Sequence, residues 1–265
     1  MLLVIDIGNT NTSFGVFDGE TLKAHWRLTT ERARTGDEWG VLARDLFALA
    51  SLDFKAIDGI AIASVVPPLN FTVKRMAEDY FQLSPLFIDH TVDTGLKILY
   101  QPPADVGADR IVDAVAAIHK YGAPCIVVDF GTATTFDAIN SHGEYLGGVI
   151  TPGITISADA LFERAAKLPR VEIKRPQRVI GSATVGAMQS GLYHGYVGLV
   201  DGILRKMIDE LGGEPKVIAT GGLASLIAKG SEFIQKVDEN LTLEGLRLVY
   251  ERQKAVSSLE FRVSS

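Results

Sequence analysis

A single cysteine in 265 residues excludes an intrachain disulfide. Cys125 opens the apolar run Cys-Ile-Val-Val-Asp-Phe, where a small buried hydrophobe is the expected role rather than a nucleophile. No apolar run reaches the ~18 residues a membrane span needs, and the opening Met-Leu-Leu-Val-Ile-Asp-Ile-Gly lacks the basic start of a secretion signal. Both absences predict a soluble, cytoplasmic protein with no membrane partner. Basic tracts are missing too: 26 Lys and Arg stand against 32 Asp and Glu, a formal charge of −6, so nothing attracts a phosphate backbone and nucleic acid is not expected as a partner. The histidines, His25, His90, His119, His142 and His194, are scattered without ligand spacing, and neither Gly-x-Ser-x-Gly nor Gly-x-x-x-x-Gly-Lys-Ser/Thr occurs. Zinc chemistry, serine hydrolysis and P-loop hydrolysis are thereby disfavoured.

The chain does contain one phrase twice. Val-Ile-Asp-Ile-Gly-Asn-Thr-Asn-Thr-Ser-Phe at residues 4–14 is echoed by Val-Val-Asp-Phe-Gly-Thr-Ala-Thr-Thr-Phe at 127–136, 123 residues later. Asp6 lines up with Asp129, Gly8 with Gly131, Asn11 with Thr134 and Thr12 with Thr135. The surroundings repeat as well. Residues 2–7, 13–17 and 23–29 read as a three-strand meander, and 125–129, 133–139 and 145–150 as another. Helices are predicted over 37–52, capped by Thr35 or Asp37, from Pro67 onward through Val73, Met76, Ala77, Tyr80 and Phe81, and over 108–121 with Gly122 as its stop. Further helices are expected at about 154–164 and 183–211, and a strand at 216–220. A repeat this long argues for two similar domains with a ligand cleft between them rather than a solenoid. The expected division is 1–120, 121–251, and a loose tail over 252–265.

A strand that ends in Asp-x-Gly and turns tightly into a second strand leaves its carboxylate at the lip of the sheet, while glycine lets a ligand approach the backbone. Turn amides and Thr or Asn side chains can then donate to phosphate oxygens. A bare carboxylate repels phosphate, so two such aspartates beside a nucleotide need a hard cation or a proton-transfer role, which selects phosphoryl transfer. One copy alone would fit an ordinary hairpin in which Asp and Asn bond their own turn; two copies at the starts of matching halves favour the phosphate reading over that one. Thr220-Gly221-Gly222 is a strand-to-helix turn with room for a flat ring or phosphates. Asp109 and Arg110 stand at a helix start, where spacing alone makes Asp109 the N-cap and Arg110 a solvated first-turn residue or a carboxylate binder.

These residues resemble the type III pantothenate kinases of the actin, sugar-kinase and Hsp70 (ASKHA) superfamily. Asp-Ile-Gly-Asn-Thr-Asn-Thr looks like the family's first phosphate motif and Asp-Phe-Gly-Thr-Ala-Thr-Thr like its second. Gly-Ala-Asp-Arg at 107–110 is similar to its pantothenate motif, Gly-Gly-Val-Ile-Thr-Pro-Gly at 147–153 to its dimer-interface motif, and Thr-Gly-Gly at 220–222 to its adenosine motif. The resemblance implies an α/β fold of two ribonuclease-H-like domains, mixed sheets flanked by helices, with the active site in the cleft between them. It implies ATP-dependent phosphorylation of the primary hydroxyl of pantothenate, the entry to coenzyme A. Carried over by motif, Asp6, Ile7, Gly8, Asn9, Thr10, Asn11, Thr12, Ser13 and Thr132 hold ATP phosphates, and Asp6 holds Mg2+ through water. Asp109 is the base; Tyr100, Gly107, Ala108, Asp109, Arg110 and Thr184 hold pantothenate; Asp129 binds a monovalent cation, K+ or NH4+. A homodimer is implied. Two rival readings are another ASKHA kinase or phosphatase, acting on a sugar, acetate or polyphosphate, and a nonenzymatic accessory protein akin to the Bvg accessory factors.

Overall fold

The computed structural model describes residues 1–263, and contacts divide it into two compact units. The first comprises residues 1–96, 100–116 and the last helix; the second comprises 97–99 and 117–240. In the first unit, β1 (Leu2–Ile7), β2 (Asn11–Asp18) and β3 (Thr21–Thr29) form an antiparallel meander, and β4 (Gly59–Ser64) and β5 (Leu86–Ile88) add in parallel beyond β1. The strand order is β3-β2-β1-β4-β5. In the second, β7 (Cys125–Phe130), β8 (Ala133–Ile139) and β9 (Glu144–Pro152) repeat the meander, with β10 (Lys216–Gly221) and β11 (Lys236–Val237) parallel beyond β7. Its order, β11-β10-β7-β8-β9, is the same, extended by β6 (Lys97–Ile98) on the outer edge of β9. The two mixed, ribonuclease-H-like sheets expected from the resemblance are therefore present.

Alternation along β1 sorts its side chains between two helical layers. Leu3, Ile5 and Ile7, with Phe14 and Val16 of β2, pack under Trp39, Ala43 and Phe47 of α1 (Gly36–Leu49) and Leu69, Val73 and Met76 of α2 (Pro67–Met76). Leu2 and Val4 face the other way, against Ala108 and Val112 of α3 (Ala108–Tyr121) and Leu243, Leu246 and Val249 of α7 (Leu241–Val263). With both faces covered, β1 reads as an apolar run broken only by Asp6, and β7 as one broken only by Asp129, with the same burial pattern residue for residue. In the second unit Ile126, Val128 and Phe136 pack with Ile154 of α4 (Ile154–Arg164), Tyr193, Tyr196, Val200 and Leu204 of α5 (Thr184–Leu211), and Ala224 and Ile227 of α6 (Ala224–Ala228).

Three expectations need correction. The stretch from 252 is not a loose tail: α7 continues to Val263, Arg252 pairs with Asp93 at 3.0 Å and Gln253 donates to the Asp93 carbonyl at 2.7 Å. Ser264 and Ser265, also assigned to that tail, lie outside the described residues. The chain does not divide at 120 and 251 either, because α7 packs on the N-terminal sheet and α3 passes from one unit to the other after Ala116. Beyond Met76 the helix from Pro67 widens to a π turn over Ala77–Phe81, which leaves Tyr80 at the surface with its hydroxyl donating to Asp37.

The two hairpins are not related residue for residue in the way their letters suggest. Asp6 pairs with Ser13 and Ile7 with Thr12, whereas Asp129 pairs with Thr135 and Phe130 with Thr134. The second hairpin is one residue shorter. Thr134 is the counterpart of Thr12, both fully buried, and Thr135 is the counterpart of Ser13. The identity match of Thr12 with Thr135 is off by one, because Asn-Thr-Asn-Thr and Thr-Ala-Thr-Thr share a letter pattern but not a loop length.

Candidate active site

Asp6 is half-buried and occupies the last outward position of β1 on the Leu2–Val4 face. The turn after it is closed by Gly8 N donating to the Asn11 carbonyl at 3.0 Å, and a Cβ at Gly8 would sit 3.0 Å from that same oxygen. Asn9 and Thr10 are exposed at its tip. The segment after β3 fastens the turn from the side. Thr30 N donates to the Thr10 carbonyl at 2.9 Å, the Thr30 hydroxyl donates to the Gly8 carbonyl at 2.7 Å, and the Thr12 and Thr30 hydroxyls meet at 2.9 Å. Thr12, expected to face phosphate, is instead buried and spends its hydroxyl inside the turn. Ser13, on the Asp6 face, is half-buried.

Asp109 belongs to the same end of the same unit. Val65, just past β4, donates its amide to the Ile7 carbonyl at 3.0 Å, and the Val65 side chain lies 3.4 Å from where a Cβ on Gly107 would stand. The start of α3 is thus reached from the β1 turn through one residue. Because α3 packs on the Leu2–Val4 face, Asp6 and Asp109 share both a face and an end of the first sheet. Asp109 is not the N-cap that spacing suggested. Helix α3 begins at Ala108, and the Asp109 carboxylate turns back to accept from the Arg110 amide at 2.8 Å. That carboxylate leaves only 2.5 Å to a hypothetical Gly107 Cβ, so glycine at 107 is required for it to lie there. Arg110 is not a solvated first-turn residue: it is buried, as is Asp113 one turn on. Tyr100 is half-buried in the segment that leads to this helix.

The remaining predicted residues fall in the second unit. Asp129 ends β7 as Asp6 ends β1, and its carboxylate is wedged between two glycines. A Cβ at Gly221, whose φ is +90°, would come within 2.4 Å of one carboxylate oxygen, and one at Gly131 within 3.2 Å of the other. Thr132 is exposed on the turn, and its carbonyl accepts from Gly153 N at 3.1 Å. Gly153 closes the Gly-Gly-Val-Ile-Thr-Pro-Gly stretch, and a Cβ there would strike that carbonyl at 2.3 Å. The buried Thr134 hydroxyl is taken by Tyr196 of α5. Thr184 begins α5 and lines an open cavity of about 830 Å3 with Leu161, Leu168, Met188 and Leu192.

Among the described residues no group of three His, Cys, Asp or Glu could hold a metal by itself. That donor set fits Mg2+ brought in on phosphates, since Mg2+ takes one or two carboxylates plus nucleotide oxygens rather than an all-protein cage. Single carboxylates at Asp6 and Asp129 suit such hard cations. Cys125 is excluded as a nucleophile, because burial pushes its thiol up to about 12. No helix among the described residues is long and apolar enough to cross a membrane. Sequence reasoning missed Thr30, Arg32 and Val65, which brace or flank the β1 turn; the Thr35-x-x-Glu38 capping signature just after Thr30 and Arg32 was the available signal for that segment, and none marked Val65.

The family profile of type III pantothenate kinase matches residues 2–206. A type III pantothenate kinase from Koribacter versatilis is 57% identical, over 96% of this chain and 97% of its own. Among solved structures, a protein described as a Baf family transcriptional activator from Campylobacter jejuni superposes with a TM-score of 0.57 at 20% identity, over 96% and 99% of the two chains. The activator of 2-hydroxyisocaproyl-CoA dehydratase from Clostridium difficile, with bound ADPNP, gives 0.56 at 13% identity over 98% and 97%. At those identities the likeness speaks to the fold alone. A profile covering most of the chain and a relative this similar over nearly its full length make the protein a member of the type III pantothenate kinase family.

Proposed function

We propose that the protein transfers the γ-phosphoryl group of ATP to the primary (4′) hydroxyl of pantothenate, giving 4′-phosphopantothenate in the first step of coenzyme A biosynthesis, and that it works in the cytoplasm as a homodimer. The observation that carries the reading at the level of chemistry is the shared face and end of Asp6 and Asp109 in the first unit. The turn from Asp6 to Ser13, with Thr132, receives the phosphates through amides and through hydroxyls other than that of the buried Thr12. Asp6, through water, would hold Mg2+ carried on the phosphates, and Asp129 would hold K+ or NH4+; such cations would supply neutralisation of the charge that develops in transfer. Gly107, Ala108, Arg110, Tyr100 and Thr184 orient pantothenate, Arg110 as partner of its carboxylate.

In the step itself the 4′ oxygen bonds to the γ-phosphorus, the bond to the β,γ-bridging oxygen breaks, ADP leaves with the electron pair, and the hydroxyl proton passes to the Asp109 carboxylate. An alcohol is a far weaker acid than a carboxylic acid, so Asp109 acts late, when the attacking oxygen has become acidic, and before that as an acceptor that aims the hydroxyl. Asp109→Asn keeps the shape and removes the basicity. It should bind ATP as the parent does while kcat falls by roughly 10²–10⁴-fold, the ordinary worth of a general base. A variant with near-parental turnover would reduce Asp109 to a helix-start acid.

A further inference from the structure

The residues 30–34 that brace the β1 turn carry two arginines of different standing. The Arg34 guanidinium lies over the Trp39 ring, 4.7 Å from its centroid, with Nη1 buried and without a hydrogen-bond partner among the described residues. It is committed to packing. Arg32 is exposed and makes no ion pair among the described residues; its one polar partner is the Asn9 side-chain oxygen, at 3.4 Å. That distance is at the long limit for such a bond and the partner is neutral, so leaving it costs little. Asn9 is the exposed tip of the turn, and Thr30, two residues before Arg32, is held to the turn by three contacts. The backbone that carries Arg32 is therefore fixed against the turn while its guanidinium is free to move. From Asp6 to Ser13 the turn has a carboxylate and no cation of its own.

We propose that Arg32 is a phosphate clamp: it leaves Asn9 when nucleotide binds and pairs with the terminal phosphate oxygens on the β1 turn. The proposal rests on the reading that this turn holds the ATP phosphates. A guanidinium presents a planar fork of donors that matches two phosphate oxygens, and it stays charged throughout the reaction. The clamp adds a fixed positive charge on the side of the turn opposite the Asp6 strand end, where charge builds as the phosphoryl group transfers.

The test is calorimetric titration of the full chain with Mg2+ and the non-hydrolysable analogue AMP-PNP, and separately with adenosine. It uses the parent, Arg32→Ala, Arg32→Lys, and Lys23→Ala as a control for a cation on the distal part of β3. Arg32→Ala should weaken AMP-PNP about tenfold or more, the loss expected for a charge-assisted contact, with adenosine affinity and melting temperature unchanged. Arg32→Lys should recover part of the loss and Lys23→Ala should show none. AMP-PNP affinity within twofold of the parent, or an equal loss for adenosine, would overturn the clamp while leaving the nucleotide reading standing. A parent that binds no AMP-PNP would overturn both.

Discussion

Asp129 and Cys125 lie on one strand four residues apart, and their surroundings assign them opposite chemistry. Asp129 reaches the strand's end, where two glycines make room for its carboxylate. Cys125 sits at the buried start, where low dielectric opposes charge and only Lys216 pulls the other way, so the thiol stays neutral. Its folded pKa of about 12 lies above an ordinary 9.0, so the neutral thiol favours the fold fully below pH 9 and that contribution is lost as pH climbs from 9 towards 12. Native protein should therefore react with a thiol reagent at pH 8 only as fast as it unfolds, and one equivalent should react at once in denaturant. Cys125→Ala should lose less stability than the parent between pH 9 and 11. Rapid labelling of the native state would contradict the buried placement. The strand-end placement of Asp6 and Asp129 was legible in the sequence, because Asp-x-Gly after an apolar run marks a strand that stops at a tight turn. Arg110 was not, since a helix-start arginine looks solvated until the packing around it is known.

Helix α1 begins with a capping box. Thr35 accepts from the Glu38 amide, and Glu38 accepts from the Thr35 amide at 2.7 Å and from its hydroxyl. Those two donors hold the Glu38 carboxyl below its ordinary 4.5, the backbone bond first. A lowered folded pKa means that the contribution is present above pH 4.5 and is lost as pH falls through the folded value. Thr35→Ala should cost about 1 kcal/mol, the usual worth of a cap. Burial of Trp39 and Phe47 on the same helix contributes ~1.5–3 kcal/mol each, so the variant should melt a few degrees lower without unfolding. The gap between parent and Glu38→Gln should close below pH 4.5; a gap that is constant with pH would remove the carboxylate from the account. Cap, Pro67 start and Gly122 stop were all readable, because each is a local signal. The hairpin offset and the end of α7 were not. Loop length shows only in backbone pairing, and α7 owes its position to Leu243, Leu246 and Val249 meeting Leu2 and Val4 from the far end of the chain.

At the scale of the whole molecule the repeated sheet order was foreseeable from one repeated phrase, because a meander followed by parallel strands leaves few topologies once the phrase marks its start. The second unit also exposes Ile180 at 87%, Val179 at 66% and Ile150 at 62%. Exposed apolar residues of this kind are what a second copy of the chain would cover. Sedimentation should find a dimer, and a fully active monomer would contradict that part of the proposal. The most direct measurement of the central claim is ADP release from ATP and Mg2+, with and without pantothenate, in K+ and then in Na+, with the product identified by mass. The account predicts release that requires pantothenate, is strongest in K+ and yields 4′-phosphopantothenate. ADP release indifferent to pantothenate, or none at all from protein that binds ATP, would contradict it.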